Sequence, residues 1–406
     1  MNHIPKVPRL RFHEFSEGYR QGTFESFGKF YYGKSAPKWS VSSDAEVPCV
    51  RYGELYSTFS GEVDKVRSFT SIPKKNLRFS SGGEVLIPRV GENPLDFSKA
   101  SFLPFKNVAI GEMISVYTTE EDGRYITQYI RGHFSKKMAR LVEGGNVSNL
   151  YFRYLEPLTL CLPCKSEQDK VASFFSALDE KIRLLKEKHA LLQQYKKGVM
   201  QKLFSQEIRF NDDNGQAFPD WETERVDHFV TRHSESVSVS PDEVYREIGV
   251  RSHGKGVFHK PEITGRELGD KRVFWVHPNA FVVNIVFAWE HAVAKTSTDE
   301  QGFIASHRFP MYLPKNNRVD IRFFTTFFKT KRGKYLLELA SPGGAGRNKT
   351  LGQSNFAELK VSFPCVSEQK KIADFCEAFD KKMDAVQQQI ELTHTFKKGL
   401  LQQMFV

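Results

Sequence analysis

Two short patterns in the sequence have residue types and spacing that could support chemistry. Residues Gly28–Ser35 (GKFYYGKS) match the P-loop pattern letter for letter, and a P-loop binds nucleotide phosphates through its backbone N–H groups. That chemistry requires a buried strand before the loop and a helix after it, and the residues on either side predict neither. We therefore interpret the segment as a basic loop whose Lys34 and Lys38 face a polyanion.

The second pattern is Cys161-Leu-Pro-Cys164, which precedes a helical segment as a redox CxxC motif would. A similar segment later in the chain has Ser362 in place of the first cysteine and keeps only Cys365. Half of the motif is therefore missing in the second copy, and the sequence before the first copy predicts no thioredoxin-like βαβ unit. The pattern favours a structural strand-to-helix junction.

Other catalytic constellations are missing from the sequence. The twelve histidines show no metal-ligand spacing, and His253 and His259 are separated by a basic stretch. The chain contains no Pro-Pro dipeptide, which rules out the tetrad of amino-methyltransferases, and its carboxylates predict no nuclease core. Because no nucleophile, base and orienting group stand out, we predict a binding protein without catalytic residues or a metal ion of its own.

The basic residues indicate what such a protein would bind. The net charge of +11 and the pI of about 9.2 suit a polyanion such as nucleic acid. Arginine, lysine and histidine side chains can contact base edges or phosphates. The candidate DNA contacts in the first half are Lys34, Lys38, Arg51, Arg89, Arg131, Lys136 and Lys137. The candidates in the second half are Arg251, His253, Lys255, Lys260, Arg266, Arg272, Arg308, Arg347 and Lys349.

The elements that position these residues are duplicated along the chain. Residues Pro163–Phe204 and Pro364–Phe405 align without a gap at an offset of 201, with 17 identities in 42 positions. The remainder repeats more weakly, as in Val50-Arg51 and Val250-Arg251, and Gly83–Ile87 and Asn279–Val283 could be equivalent strands. Two divergent regions thus alternate with two similar segments, which suggests one scaffold that carries two different readers.

Both similar segments have the apolar spacing of a long amphipathic helix with a heptad seam. Ser166 and Ser367 have the residue type of N-caps. Two similar apolar stripes predict that the helices pair with each other; the alternative is that each packs on its own domain alone. The polar interruptions of the seam predict a looser far end; they are His189, Lys196, Thr393 and Lys397.

The divergent regions are rich in Phe, Val, Tyr and turn residues, and they predict mixed, strand-rich domains. The predicted strands include Val85–Pro88, Val108–Val116, Phe281–Phe287 and Ile304–Leu313, and Phe323–Phe328 with Tyr335–Leu339 predicts a helix. Both regions end in glycine-rich polar loops, at 143–149 and 342–350. The second loop carries Arg347 and Lys349 on small residues, which suits close approach to phosphate, although a solvated surface loop is an equal alternative.

Composition bounds the class of protein. A length of 406 residues with 40% hydrophobic and 26% charged residues predicts two or three folded domains and excludes a wholly disordered chain. The sequence has no run of about 20 apolar residues and no visible secretory signal, so we expect no membrane partner. An odd count of five cysteines favours a reducing environment, which predicts a cytoplasmic location.

The duplicated layout resembles the specificity subunit of a type I restriction–modification system. The residues that carry the resemblance are the two Pro-x-x-Ser-Glu-Gln junctions at Pro163–Gln168 and Pro364–Gln369, the Lys-Lys-Gly near each helix end, and the Arg-Phe pairs at Arg11 and Arg209. The resemblance covers essentially the whole chain. It implies two target recognition domains that each read one half of a split DNA site, and helices that fix the unread gap between the halves.

The fold implied is α+β, with two mixed α/β target recognition domains separated by two long antiparallel coiled-coil helices in a pseudo-twofold internal duplication. The predicted boundaries are 1–158 for the first recognition domain, 159–206 for the first helical spacer, 207–358 for the second recognition domain and 359–406 for the second spacer.

The resemblance also implies partners. It predicts double-stranded DNA, two modification (methyltransferase) subunits that methylate adenine, and restriction (endonuclease and translocase) subunits. The chain itself would be non-catalytic and hold no cofactor, with S-adenosylmethionine, ATP and magnesium on the partner subunits. The modification subunits would dock on the outward faces of 166–204 and 367–405. Two alternatives remain open here: an enzyme with an unrecognised motif, and a coiled-coil scaffold joining two binding modules without DNA readout.

Overall fold

The chain divides into two units in a computed structural model that describes residues 7–343 and 349–406. The first unit is Met1–His189 with Val386–Val406, and the second is Ala190–Ala385. Each unit combines small β-sheets, short helices and part of both long helices.

The elements of the first unit alternate short strands with short helices. Its strands are β1 (Arg20–Thr23), β2 (Gly28–Tyr32), β3 (Val47–Val50), β4 (Ser68–Thr70), β5 (Glu84–Pro88), β6 (Val90–Gly91), β7 (Ser101–Leu103), β8 (Ala109–Ile110), β9 (Ile114–Thr119), β10 (Glu143–Gly144), β11 (Ser148–Asn149) and β12 (Thr159–Leu162). Its helices are α1 (Phe24–Phe27), α2 (Tyr52–Ser57), α3 (Gly123–Tyr129), α4 (Ser135–Ala139) and the first part of α5 (Lys165–Phe204). Short 3-10 turns occupy Lys38–Ser40, Lys74–Asn76, Pro94–Ser98 and Phe152–Tyr154, and a π-helical turn occupies Ile130–Phe134.

Two sheets form the body of the first unit. The larger has the strand order β2-β9-β5-β7, in which all neighbours are antiparallel. The central strand β5 is buried along its whole length, because Val85 and Ile87 pack in one apolar cluster and Leu86 packs in another on the opposite face. The smaller sheet has the order β4-β3-β8, with β3 and β8 parallel, and β1 pairs with β12 at the start of α5.

The second unit contains a similar set of elements. Its strands are β13 (Glu222–Arg225), β14 (Val230–His233), β15 (Val244–Val250), β16 (Val257–Thr264), β17 (Val273–Trp275), β18 (Phe281–Val283), β19 (Val293–Lys295), β20 (Ile304–Ser306), β21 (Met311–Pro314) and β22 (Lys360–Phe363). Its helices are α6 (Val226–Phe229), α7 (Gly265–Leu268), α8 (Ile321–Phe328), α9 (Lys331–Leu339), α10 (Gln353–Glu358) and the first part of α11 (Val366–Gln403). Its 3-10 turns are Ala288–Glu290 and Thr298–Glu300.

The sheets of the second unit repeat the topology of the first. The order β14-β21-β18-β19 corresponds to β2-β9-β5-β7, and the order β16-β15-β20-β17 again contains one parallel pair, β15 with β20. The central strand β18 also alternates between two cores, with Phe281 and Val283 on one face and Val282 on the other. The predicted equivalence of Gly83–Ile87 with Asn279–Val283 is therefore confirmed, since β5 and β18 occupy the same place.

The long helices pair in antiparallel orientation within each unit. In the first unit the N-terminal part of α5 packs against the C-terminal part of α11, where Lys397 pairs with Asp179 at 2.6 Å. Phe405, which follows α11, also contacts Phe175 of α5, with ring centroids 5.8 Å apart. In the second unit the C-terminal part of α5 packs against the N-terminal part of α11, and the Tyr195 and Phe379 rings stack at 5.3 Å. The prediction that the two helices cover each other is confirmed in both units.

Some sequence-based boundaries differ from the structure. The prediction that Ser166 and Ser367 are N-caps is wrong, because α5 begins at Lys165 and α11 at Val366. The Cys164 carbonyl accepts from Glu167 and Gln168, which makes this residue the cap of α5. Turns divide the predicted strands 108–116 and 304–313 into two strands each, and the strand predicted over 281–287 ends at Val283. The four domain boundaries stay predictions. Over the described ranges, no helix has the length and apolar character needed to cross a membrane.

Candidate nucleic-acid interface

The first junction attaches the recognition region of the first unit to its long helix. Arg11 donates two hydrogen bonds to the buried Glu167 carboxylate, from Nε at 2.8 Å and from Nη2 at 2.7 Å. The Tyr19 hydroxyl donates to the same carboxylate at 3.1 Å. Gln168, also buried, accepts through Oε1 from the backbone N–H of Asp122 at 3.1 Å, and Asp122 is the N-cap of α3. The Glu-Gln pair of the repeated motif thus fixes both the incoming chain and a domain helix.

The second junction has the same construction. Arg209 donates to the buried Glu368 carboxylate from Nε at 3.1 Å and from Nη2 at 2.7 Å. Gln369 accepts from the backbone N–H of Asp320 at 2.9 Å, and Asp320 is the N-cap of α8. Each arginine also donates to a backbone carbonyl of the chain that follows it, at 2.7 Å in the first junction and 2.6 Å in the second. The similarity of the junction sequences therefore has a structural cause.

Two interruptions of the heptad seam form ion pairs between the helices. Lys397 donates to both oxygens of the Asp179 carboxylate at 2.6 Å in the first unit, and Lys196 donates to Asp380 Oδ1 at 2.5 Å in the second. These four residues are related by the offset of the repeat. Burial lowers the pKa of Lys397, and the Asp179 carboxylate acts in the opposite direction. Each lysine thus has a carboxylate partner on the other helix, while the looser far end stays a prediction.

A loop with strained backbone follows β2 in the first unit. Ser35 and Ala36 both have positive φ, at 65° and 62°, and such residues lie in the left-handed region at a cost of roughly 1–2 kcal/mol each. The loop is held by backbone hydrogen bonds from Lys34 to Ile110 at 2.8 Å and from Glu112 to Ser35 at 3.0 Å. The P-loop pattern does not form a phosphate loop, since Gly28–Tyr32 is an antiparallel strand of the central sheet. Lys34 and Lys38 are both exposed on this loop.

Arg89 lies at the end of β5, where three segments of the first unit meet. Its guanidinium carbon is 4.6 Å from the centroid of the Tyr32 ring and 5.7 Å from that of the Tyr151 ring. The backbone N–H of Arg89 donates to Met113 at 3.0 Å, and its carbonyl accepts from Leu150 at 2.8 Å. The glycine-rich loop at 143–149 therefore rejoins the central sheet at Arg89.

The other candidates of the first unit divide into two locations. Arg51 follows β3, and the preceding Val50 carbonyl accepts from the turn at Gly111 that also supports Lys34. Arg131 lies in the π-helical turn and donates to the Ala100 carbonyl at 2.9 Å, and burial lowers its pKa. Lys136 and Lys137 follow on α4, where both are exposed and Lys137 Nζ lies 3.1 Å from a ring nitrogen of His133. The backbones of Lys34, Arg89 and the residue before Arg51 all bond to the turn at 110–113, whereas Arg131, Lys136 and Lys137 lie in the π-helical turn and α4.

The hairpin loop between β15 and β16 carries three candidates of the second unit. Arg251, His253 and Lys255 are all exposed, and Arg251 lies 4.9 Å from the centroid of the Phe258 ring. His253 adopts a left-handed conformation with φ of 62°, and its N–H donates to the Glu290 carbonyl at 2.7 Å. The loop is thus fixed on the 3-10 turn that contains Trp289.

The end of β18 anchors two further candidates. Ile285 donates to the Arg308 carbonyl at 3.0 Å and accepts from Leu351 at 2.8 Å, which repeats the backbone pattern around Arg89. Lys349 lies 5.9 Å from the centroid of the Trp289 ring, and Arg308 is exposed. Arg347 lies outside the described residues.

The remaining candidates of the second unit are directed to carboxylates or lie apart. Lys260 donates to Glu247 at 3.2 Å, and Arg266 donates to Asp242 at 2.7 Å. Arg272 is exposed beside β17. Ion pairing leaves Lys260 and Arg266 less available to a polyanion than the loop residues.

Sequence reasoning missed a cationic cavity of about 610 Å³ in the second unit. The cationic side chains that line it are Lys196, Lys197, Lys329, Lys331 and Arg332. Gly254 of the β15–β16 loop lines the same cavity, which is therefore continuous with the loop that carries Arg251 and Lys255. A signal existed in the basic run between two helical patterns at 329–332. The sequence also did not identify Tyr32 and Tyr151 as neighbours of Arg89, because the two tyrosines lie 119 residues apart.

Metal-binding side chains and thiols are two further groups that bear on the chemistry of the described residues. Among the described residues, the histidine, cysteine and carboxylate side chains form no group of three that could hold a metal ion. Burial raises the pKa of both Cys49 and Cys376 to about 11, which leaves these thiols protonated and poorly nucleophilic. The exposed cations beside aromatic rings have the character of a surface for nucleic acid.

Comparisons with known proteins agree with this assignment. A family model described as "Type I restriction modification DNA specificity domain" matches residues 25–194 and 277–394, more than half of the chain. The crystal structure of a type I restriction–modification system S subunit from M. genitalium has a similar fold, with a TM-score of 0.60, 13% identity and 99% of each chain covered. A chain from a structure concerned with complex assembly and conformational transition of the type I R-M system gives a TM-score of 0.54, 12% identity and coverage of 96% of this chain and 97% of that one. The chain therefore belongs to the type I restriction–modification DNA specificity family and supplies the DNA sequence specificity of such a system.

Proposed function

We propose that this subunit reads a split DNA target, with one half-site contacted by each unit. The observation that carries the proposal is the repeated framework with different side chains at equivalent places. Arg89 at the end of β5 corresponds to Ile285 at the end of β18, although the backbone hydrogen bonds around them are the same. Two domains with one framework and unequal surfaces are suited to two different half-sites.

The contact surface that we propose combines loop cations with aromatic rings. In the first unit it contains Lys34, Arg51 and Arg89, and in the second it contains the β15–β16 loop, Lys349 and the cationic cavity. Lysines of this kind contact phosphates and supply affinity, whereas arginines with restricted orientation distinguish bases.

We further propose that two copies of one modification subunit dock on α5 and α11. Leu191, Tyr195 and Gly198 are spaced to lie on one face of α5, and Leu392, Phe396 and Gly399 occupy the equivalent positions of α11. We call each set an outer ridge. Its two large apolar side chains are more than half exposed, and a Cβ at either glycine would meet no described atom within 4 Å apart from its chain neighbours and the backbone of its own helix.

The glycines support docking by an external partner. A glycine inside a helix costs about 1 kcal/mol relative to alanine, and neither position needs glycine for contacts within the described chain. Close approach of another backbone would account for it at both positions. Equivalent ridges favour identical partners, which agrees with the two modification subunits that the family resemblance implies.

We assign methylation and cleavage to the partner subunits, with S-adenosylmethionine on the modification subunits and ATP with magnesium on the restriction subunits. The sequence supports this assignment because it contains no Pro-Pro dipeptide for an amino-methyltransferase tetrad and no assembled nuclease core. The contribution of this chain is the choice of site.

The test is a map of methylated adenines in cells that express this chain with the modification subunit of its system. We expect one split motif with a fixed gap, which disappears when this chain is omitted. An assembled complex that methylates no defined motif and shows no salt-sensitive DNA affinity would contradict the proposal and favour a scaffold without DNA readout.

A further inference from the structure

We propose that Arg89 reads a guanine in the half-site contacted by the first unit; this inference rests on the proposed function. The proposal concerns one side chain whose orientation is fixed and whose hydrogen-bond donors are unused. Its class of ligand is the major-groove edge of a guanine, which presents two acceptors, O6 and N7, in one plane.

Aromatic rings on different segments restrict the orientation of the Arg89 guanidinium. Tyr32 lies at the end of β2, and Tyr151 follows the glycine-rich loop at 143–149. The Tyr32 ring is itself supported by Phe152, with centroids 4.4 Å apart. Stacking on aromatic rings covers the face of a guanidinium and leaves its N–H edge for hydrogen bonds.

The backbone of Arg89 is also fixed. It is joined to the turn after β8 through the Met113 carbonyl and to the end of the glycine-rich loop through the Leu150 N–H. A side chain that begins from a fixed backbone and ends between rings loses little further conformational entropy when it binds.

The donors of Arg89 lack acceptors within the described residues. Nε is buried and has no hydrogen-bond partner, and none of the described residues accepts from the terminal nitrogens. The neighbouring arginines differ, since Arg78 donates to the Tyr32 carbonyl at 2.6 Å and Arg153 donates to the Tyr154 hydroxyl at 2.7 Å. Because Nε is covered while Arg89 as a whole is only partly buried, the terminal nitrogens are the donors left for an external acceptor.

A base edge suits this donor better than a phosphate does. A stacked guanidinium offers its donors in one plane, and the paired acceptors of guanine match that fork. Phosphate binding needs no fixed plane, and the exposed Lys34 on the adjacent loop supplies a flexible cation for it.

The experiment maps methylated adenines for the complex that contains Arg89→Gln, Arg89→Lys or the wild-type chain. Arg153→Gln is the matched control, because Arg153 lies 5.0 Å from the same Tyr151 ring but has an acceptor of its own. We expect both Arg89 variants to accept other bases at one guanine position, with discrimination reduced about ten- to hundredfold. The half-site read by the second unit stays unchanged and shows that the chain has folded.

Several outcomes would overturn the inference. If the wild-type motif persists in Arg89→Gln, or if Arg89→Gln weakens methylation at every site equally while Arg89→Lys restores it, Arg89 contacts a phosphate or nothing. If Arg89→Gln loses both half-sites through misfolding, the motif methylated with Arg89→Lys tests the inference: an unchanged guanine position would contradict it. A wild-type complex without any split motif would instead contradict the proposed function, which separates the two failures.

Discussion

The two units share their junctions and differ in the surfaces that extend from them. The same pair of hydrogen bonds joins Arg11 to Glu167 and Arg209 to Glu368. The glutamine beside each glutamate accepts a hydrogen bond from the backbone N–H of the residue that caps a domain helix. The ends of the central strands differ. Arg89 after β5 lies beside two tyrosine rings in the first unit, and Ile285 occupies the equivalent place after β18 in the second.

This difference teaches which interactions the fold requires. The contacts that recur are made by buried glutamate and glutamine side chains of the long helices, whereas around Arg89 and Ile285 only main-chain hydrogen bonds recur. Main-chain bonds tolerate any side chain, so the reading surface can diverge while the framework stays constant.

The largest expected effect concerns the two outer ridges, where the units should behave alike. We expect Gly198→Leu and Gly399→Leu each to remove one modification subunit from the complex, and the double variant to remove both, as measured by native mass spectrometry. Each change fills the space that a docked partner would need, while the new Cβ meets no described atom within 4 Å apart from its chain neighbours and the backbone of its own helix.

The same changes should leave the chain itself folded, because replacing a glycine inside a helix by leucine stabilises the helix by up to about 1 kcal/mol. Gln193→Leu is the control, since position 193 is exposed and lies about 200° around α5 from Leu191. Retention of both partners by the double variant would show that the ridges are not docking surfaces.

The next effect tests the equality of the junctions. We expect Glu167→Gln and Glu368→Gln to destabilise their own units by similar amounts, about 3 kcal/mol, because each removes the buried carboxylate that pairs with a partly buried arginine, and the Asp220 carboxylate that also meets Arg209 is exposed. Hydrogen exchange of the full chain should rise in α3 for the first variant and in α8 for the second.

Glu14→Gln provides the reference for an exposed ion pair, since Glu14 meets Lys170 at 3.1 Å on the surface. Its loss should change stability far less than the loss of either buried junction glutamate. Unequal losses of stability for the two junction variants would contradict the structural equivalence of the junctions.

The lysine–aspartate pairs, where the units should differ, include the smallest expected effect. The side chains of Lys397 and Asp179 are 9% and 23% exposed, whereas those of Lys196 and Asp380 are 21% and 53% exposed. We expect Asp179→Asn to cost about 3 kcal/mol and Asp380→Asn about 1 kcal/mol, measured by denaturant unfolding, because the first leaves a buried cation alone.

The pH dependence gives a second measurement. Burial already places the folded pKa of Lys397 below its ordinary value of 10.5, and loss of Asp179 removes the charge that opposes this shift. Between the folded pKa and 10.5 the unfolded chain binds more protons, so stability should rise with pH in that window. A penalty for Asp179→Asn that does not shrink as pH rises through this window would contradict a buried charge as its cause.

Much of the fold was predictable from the sequence because its signals are local or repeated. The seam of the long helices has a fixed period, and the 201-residue offset between the copies identifies the duplication without structural information. The strand divisions at Gly111 and after Val283 were not predictable, since short apolar runs do not record where a turn interrupts them.

The candidate site was less predictable because pairing is decided between distant residues. The sequence contains the cations, but it does not show that Arg131 donates to Ala100 or that Arg266 faces Asp242. The restriction of Arg89 by Tyr32 and Tyr151 depends on segments that only the folded sheet brings together. Basic residues can therefore be counted from sequence, whereas their availability cannot.

The residues at which the two glycine-rich loops rejoin the central sheets have a consequence for how such a protein evolves. Leu150 donates to the Arg89 carbonyl and Leu351 to the Ile285 carbonyl, both at 2.8 Å, so each loop closes on a backbone atom and not on a side chain. A recombination event that exchanges a loop needs to preserve main-chain bonds, namely this closure and, in the first loop, the pairing of β11 with β6. A new DNA sequence preference can then arise in one exchange, without further substitutions in the hydrophobic core.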